Sequence, residues 1–285
     1  MVEAAGGGDE TARMLSLWRP PPYLTGCSQT VLHGPRPLLV RNYDYHPRAC
    51  EATVLRTSWL GTSVLGMSDC LWGLLDGVNE HGLALSLSFA GSRRVARGFG
   101  IPLLLRWVLQ RCEDVPSAAA ELKRLPSHMS YHLTMLDANG RMGRVTLRAR
   151  EEAEWSDDPS ATNHDARMEW PEHAKATHSV ERAARIARLL EELPRGNADE
   201  RAFVGAFLEP PLYQGDHARG HGTLYTAVYR PIERAVDYCW PDRRWGSLAE
   251  GLLRRRDARA LSGPAPLKPS GRNRQRPALF SSSSS

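Results

Sequence analysis

The distribution of apolar residues predicts strands and helices that alternate in groups along the chain. Short runs of large and β-branched side chains, bounded by glycine or polar residues, are typical of strands. The run 83–89 alternates apolar and small residues, as expected for a strand that is buried on one face. The predicted strands are 38–40, 52–56, 71–75, 83–89, 131–137, 145–147, 155–164, 223–229 and 234–240.

Helices are predicted at 103–112, 117–123, 180–193 and 198–208, and Ser179 is the predicted N-cap of the third. Turns are predicted at Asp76–Gly77 and, between two strands, at Asn139–Gly140. Along the chain, a group of strands is followed by two helices, a second group of strands, two more helices and a last group of strands. Hairpins outnumber β-α-β units. The pattern therefore indicates an α+β fold with two stacked, mainly antiparallel sheets between helical layers.

The two ends of the chain differ in composition from its middle. Residues 1–12 carry few apolar side chains, and three prolines at 20–22 favour an extended approach to Gly26. Residues 257–285 are rich in Pro, Arg and Ser, which is typical of a disordered tail. We therefore expect a leader at 1–26, one domain at 27–256 and a disordered tail at 257–285. The leader is expected to lie across a substrate cleft.

Charge and cysteine usage exclude several classes of protein. The formal net charge of +5 comes largely from the region that follows residue 253, and no nucleic-acid-binding signature is present, so no nucleic-acid partner is expected. Five cysteines without a C-x-x-C pair, together with the lack of a signal peptide, favour the cytoplasm. The apolar stretch 101–109 contains Arg106 and is too short to span a bilayer, so no membrane partner is expected.

The chemistry of the chain points to Cys27, which follows Gly26. Its thiol can attack the preceding carbonyl carbon in an N-to-S acyl shift, and hydrolysis then leaves Cys27 as a new N-terminus. A free α-amino group titrates near about 7.7–8.0, so it can serve as the base for its own thiol. This reasoning predicts an N-terminal-nucleophile cysteine hydrolase.

Two other readings of the candidate residues stay open. Cys27 is also compatible with a buried structural thiol, or with a pairing to a distant histidine that the sequence does not identify. His164, His217 and His221 do not have the spacing of a three- or four-ligand metal site, so neither a metal nor another cofactor is expected.

Four motifs in order give the chain a family resemblance. They are the segments 26–28 (Gly-Cys-Ser), 41–45 (Arg-Asn-Tyr-Asp-Tyr), 72–83 (Trp-Gly-Leu-Leu-Asp-Gly-Val-Asn-Glu-His-Gly-Leu) and 161–164 (Ala-Thr-Asn-His). With them the chain, from about residue 15 to 240, resembles the acyl-CoA:6-aminopenicillanic-acid (isopenicillin N) acyltransferase-like cysteine peptidases, which are related to choloylglycine hydrolases. The resemblance implies a four-layer αββα N-terminal-nucleophile hydrolase fold, autocatalytic cleavage at Gly26–Cys27 and chemistry at an amide bond.

The resemblance also implies a role for individual residues. Cys27 matches the nucleophile. Asp44 would orient the freed amine, and Arg41 would favour the thiolate, although both are also compatible with a surface ion pair. Asn79 and Asn163 match two asparagines near the oxyanion, although Asn79 also fits an ordinary turn. Arg182 matches an arginine close to the nucleophile, and equally fits a solvated helix face.

The resulting function hypothesis is an amidohydrolase or acyltransferase that acts on a small-molecule amide or an acyl-CoA thioester. The alternative is a catalytically silent relative that acts as a binding module. Motifs do not reveal the shape of a pocket, so the sequence leaves the substrate, the choice between hydrolysis and transfer, and the formation of a homo-oligomer open.

Overall fold

The computed structural model describes residues 6–192, 199–217 and 222–249, and within them twelve strands form two antiparallel sheets. The strands are β1 Gly26–Leu32, β2 Leu38–Tyr45, β3 Thr53–Thr57, β4 Val64–Asp69, β5 Gly73–Asn79, β6 Ala84–Phe89, β7 Tyr131–Leu136, β8 Met142–Arg148, β9 Glu151–Ser156, β10 Gly222–Arg230, β11 Ala235–Trp240 and β12 Arg243–Ala249. The first sheet has the order β1-β2-β10-β11-β12, and the second runs from β3 to β9 in sequence order.

Helices cover the outer faces of both sheets. In the described part of the chain they are α1 Asp9–Leu15, α2 Ile101–Arg111, α3 Val115–Arg124, α4 Pro171–Ala176, α5 Ser179–Glu192 and α6 Glu200–Phe207, with a 3-10 turn at Pro47–Ala49. α2 and α3 pack on the seven-stranded sheet, whereas α5 and α6 pack on β1 and β2 of the five-stranded sheet. The predicted four-layer αββα arrangement is therefore confirmed.

Apolar side chains fill the space between the sheets and the space below the helices. Leu85 and Leu133 are fully buried in the larger core, which also contains Cys27 and Tyr43. A second core lies between the five-stranded sheet and the helices α5 and α6; its members include Val40, Val228, Ile186, Leu189, Phe203 and Phe207. Because β1 and β2 belong to the sheet between these two cores, polar groups on them are shielded from water on both sides.

The predicted turn at Asp76–Gly77 is wrong, because both residues lie inside β5. Gly66 on β4 pairs directly with Gly77. A Cβ atom on Gly66 would come within 2.2 Å of the Asp76 carbonyl oxygen, so the glycines permit close contact between strands and do not mark a turn. The turn lies earlier, at Cys70 and Leu71, which have positive φ angles of 55° and 73°. β5 consequently starts at Gly73 and not at residue 71.

The predicted strand at 155–164 is also corrected. β9 ends at Ser156, and in the following segment Ala161 makes an isolated bridge with Gln29 of β1. The sequence pattern does not predict β1, β4 and β12 as strands. β1 was missed because it buries the polar side chains of Ser28, Gln29 and Thr30, which do not give an apolar run.

The segment that is predicted to be a leader contacts the rest of the chain before it continues into β1. The Arg19 amide donates to the Gly98 carbonyl at 2.9 Å, and the Gly100 amide donates to the Leu17 carbonyl at 2.7 Å. Thr25 is buried at the end of the leader. The predicted tail at 257–285 and the segments 193–198 and 218–221 lie outside the described residues.

Candidate active site

Cys27 lies near the start of β1, with its side chain completely buried. It pairs with Tyr43 of β2 in the antiparallel ladder, so both side chains project from the same face of the sheet. The Sγ atom accepts a hydrogen bond from Arg41 Nη2 at 3.3 Å and donates to Thr25 Oγ1 at 3.4 Å. The sulfur therefore has a guanidinium group on one side and a hydroxyl of the leader on the other.

Arg41 is fixed by groups from three other strands. Its Nη1 atom donates to the Leu75 carbonyl at 2.8 Å and forms a fully buried ion pair with Asp76. Asp76 also accepts hydrogen bonds from the hydroxyls of Tyr225, at 2.7 Å, and Tyr229. Burial by itself lowers the pKa of Arg41, but the negative charges that Cys27, Tyr225 and Asp76 can carry outweigh it and raise this pKa well above its usual value. A permanent positive charge thus lies beside the sulfur.

Asn163 connects the nitrogen of Cys27 to the leader. Its Oδ1 atom accepts the Cys27 backbone N–H at 2.8 Å, and its Nδ2 atom donates to the Thr25 carbonyl at 2.8 Å and to the Phe89 carbonyl at 3.2 Å. The side chain is fully buried, and the Asn163 backbone N–H donates to Ser179 Oγ at 2.7 Å. The amide therefore contacts the chain on both sides of the Gly26–Cys27 bond.

Arg182, on α5, is completely buried at the centre of these groups and not on a solvated helix face. Nη1 donates to the Cys27 carbonyl at 2.5 Å and lies 3.3 Å from Asp44 Oδ2, and Nη2 donates to Asn163 Oδ1 at 2.6 Å. Burial lowers the pKa of Arg182, against the opposing charges of Asp44 and Cys27. Because Nη2 can only donate, it requires the Asn163 oxygen, and not its nitrogen, to face Cys27.

Asp44 joins the site through Arg182 and Thr223. Its Oδ1 atom accepts a hydrogen bond from Thr223 Oγ1 at 2.6 Å. The resemblance implies that Asp44 orients the amine freed from Cys27, which stays a prediction; in the structure the Cys27 backbone N–H donates to Asn163. Asp44 therefore compensates the charge of Arg182, which in turn holds Asn163 in place.

Asn79 has a different environment from the other five predicted site residues. Its Nδ2 atom donates to the carbonyls of Leu109 and Cys112 at 2.9 and 2.7 Å, and its Oδ1 atom accepts the backbone N–H groups of His81 and Leu83. The Asn79 backbone N–H donates to the Leu83 carbonyl. These bonds use both donors of the side-chain amide, so in this structure the Asn79 side chain anchors the C-terminus of α2. A role of Asn79 near the oxyanion stays a prediction.

Several residues of the site were not predicted to have this role. The sequence predicts Asp76 as a turn residue, Ser179 as a helix N-cap and Tyr225 only as part of the strand 223–229. An acidic residue in a strand buried on both faces would have been a usable signal for Asp76, since a buried carboxylate needs a partner. No local pattern predicts Thr223 or Ser179, because each contacts the site only through the tertiary fold.

Within 6–192, 199–217 and 222–249, no helix has the length and apolar character that a membrane crossing requires. The same ranges contain no cluster of three or more His, Cys, Asp or Glu side chains that could hold a metal ion.

The comparison with protein families agrees with this geometry. The acyl-coenzyme A:6-aminopenicillanic acid acyl-transferase family matches residues 31–245, which is most of the chain. The chain belongs to this family. The match contains Arg41, Asp44, Asn79, Asn163 and Arg182, and it starts four positions after Cys27.

Solved structures with the same fold come from distant relatives in sequence. A conjugated bile acid hydrolase mutant from Clostridium perfringens matches with a TM-score of 0.55 and 13% identity, over 78% of this chain and 92% of that one. Penicillin V acylase from Agrobacterium tumefaciens matches with a TM-score of 0.51 and 16% identity, over 74% of this chain and 82% of that one. An N-acylethanolamine-hydrolyzing acid amidase ortholog from Caenorhabditis elegans matches with a TM-score of 0.51 and 18% identity, over 73% of this chain and 93% of that one. At these identities the likeness concerns the fold, which is that of N-terminal-nucleophile hydrolases.

A search of curated proteins finds no match. Family membership and fold together support an amidohydrolase or acyltransferase of the N-terminal-nucleophile class.

Proposed function

We propose that this protein is a cysteine amidohydrolase or acyltransferase that cleaves itself between Gly26 and Cys27 and then uses Cys27 as its nucleophile. Its substrate is a small-molecule amide or an acyl-CoA thioester, in keeping with the family name and with the names of the structurally similar proteins. The acyl group is transferred first to the Cys27 sulfur. Water or an amine then removes it, and the acceptor that arrives first decides between hydrolysis and transfer.

Self-cleavage starts with attack of the Cys27 sulfur on the Gly26 carbonyl carbon. The C–N bond breaks, the thiol proton moves to the departing nitrogen, and Gly26 becomes a thioester on Cys27. Water then attacks this thioester, its oxygen stays on the Gly26 carboxyl group, and a proton returns to the sulfur. The products are the leader with a new carboxyl terminus and a chain that begins with the free amine of Cys27. This amine is the base for later turnovers.

The observation that carries the proposal is the set of groups around Cys27. The buried sulfur lies 3.3 Å from Arg41 Nη2, and the nitrogen that would become the base lies 2.8 Å from Asn163 Oδ1. A buried thiol in a merely structural position packs as a small apolar group and needs no cation beside its sulfur. In this protein the Cys27 sulfur contacts Arg41, and the Cys27 nitrogen contacts Asn163. Arg41 forms an ion pair with Asp76, and Asn163 accepts a hydrogen bond from Arg182, so both partners are fixed in place.

Asn163 is the proposed oxyanion donor. In the uncut chain its Nδ2 group is bonded to the Thr25 carbonyl, which belongs to the leader. Departure of the leader releases one N–H of this amide, whereas its orientation remains set by Arg182. The released N–H is then available to the carbonyl oxygen of a substrate, a kind of contact that is typically worth about 3–4 kcal/mol in the transition state.

Intact-mass measurement of the purified protein tests the proposal. Wild-type protein is expected to lose residues 1–26, and Cys27→Ala is expected to keep them because the attacking sulfur is gone. Cys112→Ala is the matched control, since Cys112 is also buried but lies at the end of α2, away from Arg41. It should mature like wild type. A wild-type chain that stays uncut, with no amidase activity, would favour the binding-module alternative.

A further inference from the structure

The last residues of the leader fill a groove next to Cys27, and Tyr23 is bound there in detail. Its hydroxyl lies 2.5 Å from Asp69 Oδ2 and 2.6 Å from the hydroxyl of Tyr43. Its ring packs against that of Tyr45, with the centroids 5.6 Å apart. Asp69 is only 5% exposed, and its other oxygen accepts the Cys70 backbone N–H at 2.8 Å. The groove thus has aromatic walls and a buried carboxyl group.

The same groove also binds the main chain of the leader. The Tyr131 hydroxyl donates to the Tyr23 carbonyl at 2.8 Å, and Asn163 Nδ2 donates to the Thr25 carbonyl at 2.8 Å. These two carbonyls are two residues apart, so in an extended chain they face the same side. The groove therefore recognises both peptide carbonyls and one phenolic side chain.

We propose that this groove is the acyl-donor subsite and that its substrates are extended, peptide-like acyl donors with a hydroxyaryl group near the Asp69 carboxyl. The proposal rests on the proposed function, because in self-cleavage the leader itself is the acyl group that becomes attached to the Cys27 sulfur. An acyl donor in later turnovers is attached to the same sulfur and follows the same path. Tyr23 is three positions before Gly26, so the Cα atoms of the two residues are at most about 10 Å apart.

The reaction of such a donor is an ordinary acyl transfer. The Cys27 sulfur adds to the amide carbonyl carbon as its proton passes to the free α-amine, and the C–N bond breaks. The leaving amine takes the proton from the α-ammonium group. Water then attacks the thioester and gives the carboxylic acid and the free thiol.

The buried carboxyl group makes the groove selective. Burial raises the pKa of Asp69, against the hydrogen bonds from Tyr23 and Cys70 that lower it. When the leader leaves, the Asp69 carboxyl group loses its hydrogen bond from the Tyr23 hydroxyl. A substrate with a phenol restores this hydrogen bond, whereas a substrate with a phenyl ring leaves the carboxyl group without this donor. A site built to hydrogen-bond a substrate hydroxyl discriminates strongly against the analogue that lacks it.

The test uses matured protein from which the leader has been removed by gel filtration. Two substrates are compared, acetyl-Tyr-Leu-Thr-Gly p-nitroanilide and its Phe-Leu-Thr-Gly counterpart. We expect kcat/KM to favour the Tyr substrate by about 10- to 100-fold, the usual range for a hydrogen bond to a charged group. Asp69→Asn should reduce this ratio to a few-fold. Tyr131→Phe should slow both substrates and leave the ratio unchanged.

Asp157→Asn is the matched control for Asp69→Asn, because it makes the same change at an exposed carboxylate that accepts a hydrogen bond from Trp155, outside the groove. It should discriminate between the two substrates as wild type does. Matured protein that hydrolyses phenylacetyl p-nitroanilide but accepts both peptides equally, or neither, would overturn the inference and leave the proposed function intact. A leader that stays attached at Cys27 in the mass spectrum would overturn both, since the groove would never be vacated.

Discussion

The buried ion pair of Arg41 and Asp76 allows stability and reactivity to be separated by mutation. Both side chains are completely excluded from solvent; Arg41 also donates to the Leu75 carbonyl, and Asp76 accepts from the Tyr225 hydroxyl. Removal of one partner leaves a buried charge without compensation, which typically costs about 3–5 kcal/mol. For a domain of this size about 1 kcal/mol corresponds to roughly 2–4 °C in Tm, so Arg41→Gln or Asp76→Asn should lower Tm by roughly 6–20 °C.

The double variant Arg41→Gln/Asp76→Asn removes both charges together. It should be more stable than the sum of the single effects predicts, by about 1–3 kcal/mol, because neither charge is then left alone. Urea unfolding in a Cys27→Ala background measures this coupling with the leader attached in every variant. Arg36→Gln is the control, since the Arg36 side chain is 71% exposed and its pairing with Glu233 should contribute within about 1 kcal/mol.

Self-cleavage of the same variants, in a background with Cys27 intact, tests the role of the charge beside the sulfur. Arg41→Gln should mature slowly, and the double variant should remain slow although its stability is partly restored. Strictly additive losses of stability in the double variant would refute the ion-pair reasoning. Restored maturation in the double variant would refute the assignment of Arg41 to the sulfur.

Two further predictions concern Asn163 and His132. In matured enzyme, Asn163→Ala should lower kcat on an activated amide by about 10²–10³-fold with little change in KM, and near-full kcat would exclude Asn163 as an oxyanion donor. Burial, followed by the charge of Arg144, lowers the pKa of His132 to about 3, whereas an unfolded histidine titrates near about 6.5. Between these values the unfolded chain binds the additional proton, so stability falls as pH falls from about 6.5 to 3. Urea unfolding of His132→Gln should show a weaker pH dependence in this window, and an unchanged slope would contradict the assignment.

The sequence by itself determined most of the secondary structure and the order of the site residues. Alternation within 83–89 and the helical spacing of Ile186 and Leu189 depend on neighbours a few positions away, so both elements are readable without the fold. The expected burial of 83–89 on one face is wrong, because β6 is buried along its whole length between the other layers. The α+β layering followed from the order of these elements. Gly26–Cys27 likewise suggested self-cleavage by covalent chemistry alone, a prediction that awaits the mass measurement.

Tertiary structure alone decided which polar groups meet. The hydrogen bond from the Cys27 nitrogen to Asn163 joins residues 136 positions apart, and the bond from Arg182 to the Cys27 carbonyl joins residues 155 positions apart. Asn79 and Asn163 carry the same side chain, yet one closes the end of α2 and the other contacts Cys27. A motif reports the type of a donor, whereas its partner is set by the packing of two sheets and a helix around a buried site. Because burial makes every unpaired polar group costly, the fold selects an arrangement in which the buried polar groups around Cys27 are largely paired, with Arg41 Nε as an exception.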